Sequence, residues 1–283
     1  MSSLVTLEQF SVIKLHGQDS FSFLQGQVTC DVNKLTSQAF IAGCHCNAKG
    51  KMWSTFIAFS QDDAIYLVLT KESAKLSLAE LQKYGVFAKT EITDDSANWF
   101  LYGSNETDGS GAAEGTTHIP LAPEHGLIIS KQELDANSDP QAWWQQEILS
   151  GRAHLYSGTS GEFVPQMLNL QALGYISFNK GCYMGQEMVA RMRYLGKNKR
   201  ALYIAKLEAA TKLEAGDDVF RAVNENRRVA GKIINSCVTA DQTYVQLVLP
   251  KDTELTETIY LNQDDDTALQ LLPLPYSLEQ EQG

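Results

Sequence analysis

Beyond Arg200 the chain loses every helical repeat. Leu202–Leu207, Val229–Ile234 and Tyr244–Leu249 alternate apolar and polar residues between turns, which predicts a small all-β unit. The preceding residues mix both periods. Val12–Gly17 alternates like a strand ending at a glycine turn. Asp19 and Ser20 offer a cap to a helix that carries Phe21, Leu24 and Val28. Ile41–Phe59 holds a strand pair around Asn47–Gly50, and Ala64–Thr70 adds a strand. Lys71–Tyr84 reads as an amphipathic helix with Leu76, Leu78 and Leu81 inward and Gly85 as its stop; Val86–Ile92 returns as a strand. The Gly-, Ser- and acid-rich stretch Gly103–Thr117 is the linker candidate. Trp143–Leu149 is a short helix ended by Gly151. This order, followed by a β module, gives an α+β fold.

A chain of 283 residues divides into two or three units. No stretch reaches the roughly 20 apolar residues of a membrane span. MSSLVTLEQF carries neither the basic nor the apolar region of a secretory signal. The five cysteines, an odd number, argue for free thiols in a reducing compartment, so the expectation is a cytoplasmic protein; a monomer is expected as well. The formal charge of −11 opposes strong direct binding to nucleic acid or anionic lipid. Lys180–Arg200 is locally +5 and leaves −16 elsewhere, which suits a small anionic ligand or a limited docking surface. A solvated basic helix face is the plainer account.

Chemistry concentrates in Lys180-Gly-Cys-Tyr-Met-Gly-Gln-Glu187. The spacing predicts a helix that opens near Gly181, with Cys182 in or just before its first turn. Free backbone N–H groups and the positive helix end would stabilise a thiolate there, and Lys180 adds a cation. Gln186, Val189 and Arg193 follow Cys182 at i+4, i+7 and i+11, on one helix face. Spacing alone leaves open that Cys182 is a small buried hydrophobe.

The motif KGCYMGQE resembles the signature of the YgfZ family, folate-binding relatives of the glycine-cleavage T-protein. The likeness runs along nearly the whole chain: Gly17–Ser20, Phe23–Thr29, Cys46–Trp53, Tyr84–Phe87, Phe163–Gln166, Asn169–Gly174, Asn198–Ala201 and Pro273–Ser277 all match its blocks. The resemblance implies a three-part clover-leaf around a central channel, with two ferredoxin-like α+β parts and a C-terminal β-barrel. Its divisions are 1–100, 101–197 and 198–283, the first two intertwined. It implies a bound folate, tetrahydrofolate or a one-carbon derivative, and Cys182 as the functional thiol, with Lys180, Gln186 and Glu187 around it. By the same resemblance Phe10, Trp143 and Arg193 contact the folate. Phe10 replaces the family's tryptophan, keeping a stacking face and losing an N–H donor. The stretch from Trp99 to Trp143 is short for the family. The implied role is accessory: maintaining iron–sulfur enzymes, including those that modify tRNA, with no turnover of its own.

Three rivals stand beside this reading. An aminomethyltransferase of the T-protein type needs a carboxylate near the folate nitrogens, where this chain has Trp53 and Ser54. A direct tRNA-binding module would draw on the basic segment, but no RNP, KH or GXXG motif accompanies it. A metal site at Cys44-His45-Cys46 lacks the further ligands of zinc, so a strand with two small apolar residues is expected there.

Overall fold

The computed structural model describes residues 4–37, 39–105, 115–136, 138–196, 198–264 and 266–278. Along the chain, β1 (Leu4–Thr6) and β2 (Phe10–His16) lead into the short α1 (Ser20–Gln25). The strands β3 (Ile41–Cys46), β4 (Met52–Gln61) and β5 (Ala64–Thr70) run into α2 (Lys71–Gly85) and β6 (Glu91–Asp94). Then come β7 (Phe100–Ser104), β8 (Thr116–Ala122), β9 (His125–Ser130), α3 (Pro140–Leu149) and α4 (Gln186–Tyr194). The last strands are β10 (Arg200–Leu207), β11 (Asp218–Val223), β12 (Asn226–Val238), β13 (Thr243–Pro250), β14 (Ile259–Tyr260) and β15 (Ala268–Leu272).

They form three β-structures. One is a five-stranded antiparallel sheet in the order β3-β4-β5-β2-β6, and the second is a four-stranded sheet in the order β1-β7-β9-β8. The third is a closed barrel, β10-β13-β12-β11-β14-β15, completed where Ile204 pairs with Leu272. Closure removes the edge strands that alternating sequences otherwise expose. Because β1 pairs with β7, the first strand of the chain belongs to the second sheet.

Three expectations are corrected. Helix α2 is capped by Thr70, whose hydroxyl accepts from the Ser73 amide, and it buries Ser73, Ala74, Ser77 and Leu81. Leu76 is instead 42% exposed and Leu78 half-buried, because small residues let the helix lie close to the sheet. Val86–Ile92 is not a strand: Phe87 is 96% exposed on a turn, and pairing begins at Glu91. Gly103–Thr117 is not an interdomain linker, since β7 and β8 at its two ends both pair with β9 in one sheet. Its residues 106–114 lie outside the described residues, as does Lys197 of the basic segment. Among the described residues no helix is long and apolar enough to cross a membrane.

Candidate functional site

The segment before α4 is fastened along its length to residues 25–30. Ser177 donates its amide to the Thr29 carbonyl at 2.9 Å, and the Met184 amide donates to Gly26 at 3.0 Å. Between them the Lys180 ammonium spends all three N–H groups on backbone, donating to the carbonyls of Gln25, Val28 and Cys30 at 2.7 Å each. Its Nζ also stands 5.1 Å from the Tyr183 ring, which is buried. Gly185 turns the chain with φ +82°. A side chain there would meet Asn47 O at 2.5 Å and Gly50 Cα at 2.7 Å, so only glycine lets this turn seat on the β3–β4 turn.

Cys182 sits at the crest of this clamped loop, exposed, while Cys30, Cys44, Cys46 and Cys237 are all buried. Burial pushes the Cys30 thiol up to about 12 and the Cys237 thiol up to about 11, and holds Cys44 and Cys46 still further from ionising. Cys44 and Cys46 are part of β3, as the strand reading anticipated.

The predicted grouping around Cys182 is only partly realised. Helix α4 opens at Gln186 with Gly185 as its cap, so Cys182 precedes it by four residues and lies off its N-terminal turn. Lys180 is a clamp on the 25–30 carbonyls and has no N–H left for the thiol; burial pulls its ammonium down to about 8. Glu187 pairs with Arg191 at 2.6 Å on the exposed side of α4. Val189 is fully buried, its carbonyl accepting from Gln166 Nε2. The Arg193 guanidinium lies 3.9 Å from the centre of the Phe178 ring. Lys180→Met keeps the aliphatic stem and removes the three donors. It is expected to cost about 1–3 kcal/mol in urea unfolding, because three partly buried carbonyls lose their partner; an unchanged midpoint would refute the clamp.

Phe10 and Trp143 do meet, edge to face at 6.2 Å. Trp143 is 1% exposed, donates its indole N–H to the Gly126 carbonyl at 3.0 Å and lies against the His125 ring at 4.9 Å. Gly103 admits it, since a Cβ there would fall 2.3 Å from the Trp143 ring. The cavity beside Phe10 and Trp143 measures about 10 Å³, room for one water. Neither ring presents a free face to a ligand as large as a folate.

The adjacent tryptophan, which spacing did not single out, is placed otherwise. Trp144 stacks on Phe10 at 5.5 Å and 16°, and it also helps wall an open cavity of about 650 Å³. Its wall draws on separate parts of the chain: Gln9 from the turn before β2, Glu72 from α2, Gln141 and Trp144 from α3, and Asn235 and Cys237 from β12 of the barrel. Neither cavity is lined by Cys182, Gln186 or Arg193.

A second cluster went unread in the sequence. Glu147 on α3 is wholly buried and accepts from His125 Nε2 at 2.6 Å, His154 Nε2 at 2.6 Å and Arg152 Nε at 3.2 Å. Burial alone would push this carboxyl up; the Arg152 guanidinium and the two imidazole hydrogen bonds reverse that and hold it well below the usual carboxylate range. The signal was present: Glu147 lies three residues from Trp144 and beside Ile148, on the apolar stripe of a short helix.

Comparison with known proteins agrees with this architecture. Residues 198–265, the barrel, match the family model described as YgfZ, beta-barrel domain. The solved glycine cleavage system aminomethyltransferase T from Bartonella henselae superposes with a TM-score of 0.67 over 97% of this chain and 86% of its own, at 13% identity, which is a likeness of fold. The tRNA-modifying protein YgfZ of Escherichia coli O45:K1 (strain S88 / ExPEC) is 34% identical over 308 aligned residues, covering 98% of this chain and 94% of that protein. The proteins of the same name from Escherichia coli strains ED1a and UTI89 match equally. Alike in sequence along nearly its whole length and in its barrel, the chain belongs to the YgfZ family.

Proposed function

We propose that this protein supports tRNA modification as a folate-binding accessory factor, acting through the Cys182 thiol on the upkeep of iron–sulfur enzymes. The observation that carries the reading is the exposure of Cys182 alone among the five thiols, on a loop fastened at both ends. The role in tRNA modification draws on the printed name of the 34%-identical relatives. A soft thiolate ligates iron and exchanges with disulfides, which a hydroxyl does not. Binding of folate in the cavity is favoured by its volume and by Trp144, held against Phe10, in its wall. Phe10 and Trp143 then serve the ligand from behind, by holding Trp144. Because Cys182 lines neither cavity, its partner is met at the surface, and the effect on tRNA runs through client enzymes.

Aminomethyl transfer is disfavoured by the β4 residues. Ser54 is buried with its hydroxyl 3.0 Å from that of Ser77, and no carboxylate replaces it there.

Calorimetric titration with tetrahydrofolate tests the binding half of the proposal. Trp144→Ala is expected to weaken binding by about 1–3 kcal/mol, the scale of one stacking contact. Unchanged affinity in that variant would remove the cavity from the folate reading.

A further inference from the structure

We propose that the exposed face around Cys182 docks an acidic stretch of protein, carried by the client whose sulfur or iron the thiol meets under the proposed function, on which this rests. The loop from Phe178 to Gly185 is closed at both ends by elements that bear cations. At its start the Arg193 guanidinium lies 3.9 Å from the centre of the Phe178 ring, so the end of α4 folds back onto the loop. At its end Gly185 and the first turn of α4 seat on the β3–β4 turn, where a Cβ on Gly50 would fall 2.8 Å from Met188 Cβ. That turn carries Lys49 and Lys51, both exposed. Cys182 is thus flanked by positive charge that comes from two separate parts of the chain.

Charge selects the partner. Residues 47–52 and 177–200 hold eight basic residues against the single acid Glu187, in a chain whose formal charge is −11. Two other acids adjoin these stretches: Asp31 accepts from Gln25 Nε2 at 2.8 Å, and Glu162 precedes Phe163, whose carbonyl takes the Met52 amide. With both counted the excess is still basic. Lys180 is spent on its three carbonyls, so the outward charge includes Lys49, Lys51 and Arg191, all exposed. Arg191 pairs with Glu187 at 2.6 Å, but both side chains are more than half exposed, and such a pair yields readily to a better-placed carboxylate. At physiological ionic strength charges beyond about 8 Å are largely screened, so the local excess governs what settles on this face.

The apolar part of the face favours protein over nucleic acid. Tyr194 is 69% and Leu195 60% exposed, side by side at the end of the same basic helix. Tyrosine and arginine dominate the binding energy of protein interfaces. Leu195 offers area to another aliphatic side chain and little to a base, which stacks on aromatic rings. A few outward cations also neutralise too few phosphates to hold a polynucleotide against the net negative charge of the chain.

Thiol–disulfide exchange between the full-length protein and three synthetic peptides tests the surface. Each peptide carries one cysteine as a pyridyl disulfide, flanked by aspartates, glutamines or lysines and followed by a leucine. The Cys182 thiolate attacks the peptide sulfur, the peptide–pyridyl S–S bond breaks, and pyridinethiolate leaves with the electron pair and takes up a proton. Rates are taken relative to that with neutral dipyridyl disulfide, which reports the thiol itself, and Cys182→Ser gives the background from the other thiols. At low ionic strength the aspartate peptide is expected to react about tenfold faster than the glutamine peptide, with the lysine peptide slowest, and about 0.5 M salt should erase the order. Lys49→Gln, Lys51→Gln and Arg191→Gln combined should bring the aspartate and glutamine peptides within about twofold of each other. Replacing the leucine by glycine should slow the aspartate peptide about threefold in the native protein and not in Tyr194→Ser. Equal relative rates for the three peptides in the native protein overturn the docking surface and leave the proposed function standing, which falls instead if Cys182→Ser complements fully. Fluorescence anisotropy with unfractionated tRNA at physiological salt separates the remaining class: binding tighter than about 1 μM that the triple variant loses would make this a nucleic-acid surface and overturn the proposal, and weaker binding supports it.

Discussion

Cys182→Ser is expected to abolish complementation in cells lacking the protein, while thermal stability and folate affinity stay as in the native chain. The thiol is exposed at the crest of its loop and contributes no core packing, so exchanging sulfur for oxygen removes chemistry alone. The loop keeps its shape through groups the substitution does not touch: the Lys180 ammonium on three carbonyls, the Ser177 and Met184 amides, and buried Tyr183. Folate affinity is unaffected because Cys182 lines neither cavity. The readout is the level of modified tRNA nucleosides by mass spectrometry. A slow alkylating agent at neutral pH should label Cys182 well before the other four. At about 11, the Cys237 thiol holds a thiolate fraction roughly 100-fold below that of an ordinary thiol near 9, and the remaining three are more deeply buried still. Full complementation by Cys182→Ser would sink the proposed function, whatever the labelling order.

The reason for that labelling order differs from the one the sequence suggested. Spacing placed Cys182 in or just before the first turn of a helix, beside a lysine, whereas the helix begins four residues later at Gln186 and the Lys180 ammonium is spent on the Gln25, Val28 and Cys30 carbonyls. Glycines mislead here because the same residue that ends a strand or starts a helix also permits a positive φ. Gly181 has open space around it and Gly185 none, a difference that only the β3–β4 turn packed against Gly185 decides. Where the local pattern and the long-range pairing agree, the sequence reads well: Ala64–Thr70 is a strand end to end, and the alternating runs after Arg200 all enter the barrel. It reads poorly where a residue's neighbours come from far along the chain. Trp143 and Trp144 are indistinguishable by position, yet Gly103 and His125 enclose the first while Phe10 and β12 leave the second at a cavity.

The largest loss of stability is expected from Glu147→Ala. Its carboxylate holds His125, His154 and Arg152 in one buried group, and Arg152 is itself nearly buried, with Nη2 donating to the Leu121 carbonyl at 3.0 Å. Removing the anion strands a buried guanidinium and two imidazole N–H groups without their acceptor. Breaking a buried pair from one side costs about 3–5 kcal/mol. The damage reaches the barrel too. Gln246 of β13 donates to the carbonyls of Ile148 and Arg152 at 3.0 and 3.2 Å, so the loop that carries the cluster also ties α3 to the third unit. The pH dependence follows from the direction of the Glu147 shift. A carboxyl held below its ordinary value of 4.5 contributes stability that is complete above that value and is lost as pH falls through the folded one. Native protein should therefore lose stability steeply below about pH 4.5, and Glu147→Gln, already destabilised at neutral pH, should lose less on acidification. Urea unfolding at pH 7 and pH 4 reads both. A cost under about 1 kcal/mol at pH 7, or parallel pH profiles for the two proteins, would mean that the cluster is not the lock joining these elements.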